Sequence, residues 1–143
     1  MKAATFSRNL KRFDSVSFTE KKLFIEALFY LLAAKVLLAV VPFRYCLWLL
    51  KSRRSWNKTL ATEQLNQIKK AIHRTRWLVF WKNECLVKSV ASRWMLQRRQ
   101  IYSSFSLGAA FDKDKNLIAH AWLNINEFEM VEKGGSYYEL HKF

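Results

Sequence analysis

Cys85 and His120 are the two side chains in this sequence best suited to covalent chemistry together. A thiol attacks a carbonyl carbon only as the thiolate, so it needs a lowered pKa or an adjacent base. Cys85 stands just after Asn83-Glu84, and Asn83 is a good helix N-cap. Beyond it, Leu86, Val87, Val90, Ala91, Trp94 and Met95 recur at helical spacing. The pattern predicts a helix running to about Gln100, with Lys88, Ser92, Arg98 and Arg99 off its apolar stripe. A thiol in the first turn gains from the positive end of the helix dipole. The outward-pointing amides there can also hold an oxyanion. His120 follows after one helix and one hairpin, a connection that lets its strand lie against the start of the Cys85 helix. This is the logic of a cysteine–histidine pair oriented by a third group. On spacing alone, a buried cysteine and a structural histidine is the commoner outcome.

The remaining candidate ligands suggest little. Cys46 lies in an apolar run and reads as a buried small hydrophobe. Two cysteines make no disulfide framework, and a Cys46–Cys85 bridge is not expected. His73 and His141 lack a matching partner pattern. No two Cys or His residues stand at ligand spacing, so neither a metal nor any other cofactor is expected.

The elements that must position Cys85 and His120 are legible from caps and periods. Ser17-Phe18-Thr19-Glu20 resembles a capping box, which opens a helix that Pro42 stops near Val41. A second helix covers Phe43 to Lys51, and Lys51-Ser52-Arg53-Arg54-Ser55 is a connector. Thr62 is a candidate cap for a third helix to about His73, with Leu65, Ile68 and Ile72 on one side. From Ser103 the period changes to two. Phe105, Leu107, Ala109 and Phe111 alternate, Asp112 to Asn116 is a polar turn, and Leu117 to Ile125 returns. Ile118, His120, Trp122 and Asn124 share one face of that return. Further short strands are expected over Phe128 to Glu132 and Tyr137 to Leu140, separated by a Gly134-Gly135 turn. Helices followed by a small antiparallel sheet make an α+β fold. One compact domain is expected, with a helical lead-in and docking region at 1–82 and a catalytic helix plus sheet at 83–143.

Length and composition agree with this. A chain of 143 residues suits one domain, and 51% hydrophobic residues argue against disorder. The +14 net charge is lopsided: residues 1–82 carry 17 Lys/Arg against 4 Asp/Glu, leaving +1 for the rest. Such a basic half suits an acidic peptide, a membrane surface or nucleic acid, or is simply a solvated face. The apolar run from Leu23 to Leu50 is broken by Glu26, Lys35, Pro42 and Arg44. It therefore reads as two core-facing helices, with peripheral membrane contact as a lesser option. The first 22 residues lack the pattern of a signal peptide, so a cytoplasmic location is expected.

Several segments resemble one family. They are Cys85-Leu86-Val87-Lys88-Ser89-Val90-Ala91, Met95-Leu96-Gln97-Arg98-Arg99-Gln100-Ile101, Leu107-Gly108 and His120-Ala121-Trp122. In that order they are similar to the lasso-peptide leader-peptidase family, the microcin-processing branch of the transglutaminase-like cysteine protease superfamily. The lead-in from Glu20 to Leu50, with Pro42-Phe43 after an apolar helix, fits it too. The resemblance implies that Cys85 is the nucleophile and His120 the general base. It also implies an acidic residue about a dozen positions beyond the histidine, which falls at Glu132 where the family usually has aspartate. Asn124 and Asn126 are rivals for that orienting role. Trp122 either shields the site from water or simply packs.

By the same resemblance the substrate is a lasso precursor peptide and the product a precursor freed of its leader. The chain is short for both a peptidase and a leader-binding domain, so a stand-alone peptidase with a separate leader-recognition protein is expected. An ATP-dependent macrolactam synthetase would act on the product. Two non-catalytic alternatives stand beside this. One is a nucleic-acid binder using Lys69, Lys70, Arg74 and Arg76, although no nucleic-acid-binding motif is present. The other is a membrane-surface protein resting on residues 23–50.

Overall fold

The computed structural model describes residues 16–51, 58–75 and 84–143. The Asn83 cap, the basic connector at 52–55 and Arg76 lie outside them. Helix α1 spans Phe18–Val40. Ser17 caps it, its hydroxyl accepting from the Glu20 amide at 3.3 Å. Pro42 ends it as expected, and α2 follows at once over Phe43–Leu50. Helix α3 covers Thr62–Arg74. Its cap is Ala61, whose carbonyl receives the Gln64 and Leu65 amides. Thr62 is therefore the first helical residue rather than the cap.

Helix α4 runs Glu84–Arg98 and stops in a Schellman turn. The Ile101 amide reaches back to the Leu96 carbonyl and the Gln100 amide to that of Gln97. Gln100 takes φ 60°, the left-handed position usually held by glycine. Ile101 and Leu96 are both buried, which supplies the apolar contact that goes with this turn.

The four strands are β1 Ser104–Phe111, β2 Leu117–Ile125, β3 Phe128–Val131 and β4 Tyr138–Lys142. They form one antiparallel sheet in the order β3-β2-β1-β4. The β1–β2 turn is built by Asp112, whose carboxylate accepts from the Asp114 and Asn116 amides at 2.8 Å each. The β2–β3 turn places Asn126 at φ 52°, a conformation asparagine tolerates better than most side chains. This accounts for Asn126 without any part in orienting His120.

One core joins all these parts. Leu23, Ala27, Leu31 and Ala34 of α1 meet Leu65 and Ile68 of α3, and Val87, Val90, Ala91 and Met95 of α4. Phe105, Ala121, Leu123 and Met130 close it from the sheet. Helix α4 is buried on more than the expected stripe. Ser89, Ser92 and Arg93 are also fully buried, so Ser92 is not on a solvated face. Arg93 is held by the carbonyls of Ser103 and Phe143, at 3.2 and 3.3 Å, and lies over the Phe105 ring. Burial pulls its pKa down from the usual guanidinium value.

Two acid–base contacts fix α1. Glu26 accepts both terminal nitrogens of Arg99 at 2.8 and 2.7 Å, with Arg98 3.6 Å away. Glu20 faces Arg74 of α3 at 3.7 Å. The basic end of α4 is thus a structural clamp. Cys46 is buried and unbridged, with its sulfur 3.5 Å from the Val41 carbonyl. Desolvation pushes its thiol pKa up, which suits an inert packing residue.

Candidate active site

Cys85 is the second residue of α4, in the first turn, half-buried and unbridged. Its helix packs on β2 and β3 through the core residues named above. Leu86 and Val87, the next two residues in the chain, line an open cavity of about 200 Å³ whose wall does not include Cys85. Lys35, Leu38 and Ala39 of α1 and Phe43 of α2 complete its wall. That space suits a single apolar side chain more than a whole small ligand.

His120 is the fourth residue of β2, half-buried, paired across the ladder with Gly108. Alternation along β2 sends Ala121 and Leu123 into the core shared with α4. His120 and Trp122 take the other face. There the imidazole stacks on Tyr137, with ring centres 4.8 Å apart, and lies 6.3 Å from the Trp122 ring. Lys133 sits over Trp122 at 5.0 Å. Gly108 makes room for this layer. A Cβ there would fall 2.7 Å from the Trp122 ring and 2.7 Å from the Tyr138 carbonyl oxygen. The Leu107-Gly108 pair thus has a packing reason: leucine faces the core and glycine admits the tryptophan.

The group that orients His120 is a backbone atom. Its Nε2 lies 2.8 Å from the carbonyl oxygen of Glu132. A carbonyl only accepts, so Nε2 carries the proton in the neutral ring and Nδ1 keeps the lone pair. The Glu132 carboxylate, expected to hold the imidazole, instead pairs with Lys69 Nζ at 2.9 Å. Lys69 also donates to the Glu129 carbonyl at 2.9 Å. This pairing holds the Glu132 carboxyl below its ordinary range. Lys69 thereby pins β3 and the residue after it, and the pinned carbonyl meets His120. The carboxylate contributes to the position of that carbonyl and makes no contact with the ring. Asn124 lies on the same β2 face as His120, and its side-chain oxygen is buried without a partner.

Among the described residues no hydrogen bond joins the Cys85 thiol to His120. The structure does not bring the two together: α4 packs on the core face of β2, while the imidazole lies on the other face with Trp122 and Tyr137. Sequence reasoning singled out both, and it missed Tyr137, Lys133 and the Glu132 carbonyl. A tyrosine two residues after Gly-Gly gave a faint signal, while a main-chain oxygen has no signature in residue identity. Two residues of the basic set expected for nucleic acid have protein partners, Lys69 with Glu132 and Arg74 with Glu20. Among the described residues no three His, Cys, Asp or Glu side chains gather as a metal ion would need.

Comparison with known proteins gives one family. The model described as the Transglutaminase-like superfamily matches residues 28–139. That span takes in α1 beyond its first turns, α4 and the strand bearing His120. No curated protein and no solved structure matches.

Proposed function

The chain belongs to the transglutaminase-like superfamily, and from that premise we propose that it is a cysteine endopeptidase removing the leader from a ribosomally made lasso-peptide precursor. The observation that carries the reading is the state of His120. Its Nε2–H is engaged by the Glu132 carbonyl at 2.8 Å, which leaves Nδ1 unprotonated as a base. The thiol that needs such a base occupies the first turn of a helix packed on the same strand, on the face opposite the imidazole. The segments around both residues are similar to the leader-peptidase branch.

The chemistry follows from these groups. The reaction requires a rearrangement that brings the imidazole round to the thiol, and Nδ1 then takes the thiol proton. The thiolate forms a bond to the scissile carbonyl carbon, and amides of the first helical turn receive the oxyanion. The carbon–nitrogen bond breaks as His120 returns its proton to the leaving amine. Water, deprotonated by the same imidazole, then releases the acyl group from Cys85. No external energy source is needed. A separate leader-recognition protein would deliver the precursor, and an ATP-dependent macrolactam synthetase would take up the freed amine.

Intact-mass analysis of a candidate precursor tests this, with the recognition protein present. Wild type should convert the precursor to two fragments whose masses sum to substrate plus one water. Cys85→Ala and His120→Ala should leave it whole. Cleavage by Cys85→Ala at the wild-type rate would remove the proposal.

A further inference from the structure

Helix α1 carries two opposed apolar faces, and only one is used by the core. Leu23, Ala27, Leu31 and Ala34 point inward. On the other side Phe18, Ile25, Phe29, Leu32, Val36 and Val40 are all exposed, Phe18 at 74% and Val40 at 75%. At about 100° per residue these six fall within a sector of roughly 80°, opposite the core face. The stripe continues into α2, where Phe43, Trp48 and Leu49 are exposed while Cys46 and Leu50 are buried. An apolar surface this long is more than scattered exposure, and it marks an interaction face.

The charges around it say what the partner is. Lys21 and Lys22 flank the stripe near its start, Lys35 further along, and Arg44 in α2. The acids of α1 are turned to the protein itself, Glu20 to Arg74 and Glu26 to Arg98 and Arg99. Helix α2 has no acid. The face is thus apolar along its middle and basic at its margins, with tyrosine and tryptophan at positions 45 and 48. Two copies meeting through it would bring like charges together. A bilayer with anionic headgroups complements both parts, taking the apolar stripe into its acyl boundary and the cations at its surface.

We propose that the α1–α2 face rests in the plane of an anionic lipid surface. This goes beyond the peptidase reading and does not depend on it. Helix α1 has the length and hydropathy of a membrane span. It cannot cross while folded, because its other face and Glu26 are held by α3 and α4.

Flotation of the full chain with vesicles tests the proposal. The chain should rise with phosphatidylcholine vesicles that contain phosphatidylglycerol and remain below with phosphatidylcholine alone. High salt should weaken binding, as should Lys21→Ala/Lys22→Ala, by roughly five-fold for each cation that reaches the surface. Phe29→Glu/Val36→Glu should abolish flotation while leaving the circular dichroism and melting curve near wild type, since both residues point outward. No flotation with anionic vesicles overturns the proposal, and so does equal flotation with neutral ones. A lipid-free dimer that Phe29→Glu/Val36→Glu dissociates would give the face to a second copy and also overturn it. So would stoichiometric capture of a leader-recognition protein that this double variant loses, with no flotation.

Discussion

His120 has one ring nitrogen committed to a main-chain oxygen, and this sets what single substitutions do. Under the proposed mechanism His120→Ala removes the base and should lower cleavage by about 10²–10⁴-fold. Glu132→Ala keeps the carbonyl and loses only the Lys69 pair, so cleavage should fall within about three-fold, far short of losing the base. Side-by-side rates on one precursor check this, and a Glu132→Ala loss as deep as that of His120→Ala would assign the orienting role to the carboxylate. The same pair has a pH signature. Because Lys69 depresses the Glu132 carboxyl, the pin is fully present above the ordinary carboxylate range and is lost as pH falls through the lowered folded value. Protection of the amides around β3, measured relative to their intrinsic exchange rate, should fall across that acidic window and stay flat near neutrality. Thiol labelling separates the cysteines. Iodoacetamide should modify half-buried Cys85 in the native protein and leave Cys46, 1% exposed, untouched until unfolding.

At the scale of elements, the sequence was legible wherever a local rule was sufficient. Pro42 marks the end of α1, Asp112 builds the first hairpin turn, and the period-two run from Phe105 marks β1. It was less legible where tertiary contacts decide. Ser92 stands off the apolar stripe, yet it is buried, and beside it the carbonyls of Ser103 and Phe143 make a buried place for the Arg93 guanidinium. Those carbonyls come from distant segments, and no periodicity encodes them. The Glu132 carbonyl that meets His120 was hidden for the same reason, and the expectation from sequence is for its carboxylate. Gly108 offers a test of how tightly the layers are built. Gly108→Ala should cost about 1–3 kcal/mol, read as a lower melting midpoint, because neither the indole nor the Tyr138 carbonyl can retreat freely. Gln100→Gly should move the other way by roughly 0.5–1 kcal/mol, since its left-handed φ suits glycine.

For the whole molecule, the decisive link is the one that ties the first helix to the fourth. Glu26→Gln leaves two arginines facing a neutral amide at a poorly hydrated site. A loss on the order of 2–3 kcal/mol is expected in denaturant titration, less than for a fully buried pair because Arg99 keeps some contact with water. That contact spans 73 positions of chain, which has a consequence for biosynthesis. A ribosome must extrude α1 long before Arg99 exists. In that interval the nascent polypeptide shows a 23-residue apolar helix with an unneutralised glutamate and nothing to shelter it. Translation stalled between the two should yield intermediates that chaperones grip or that insertion machinery draws into lipid, whereas chains stalled well past Arg99 should escape both.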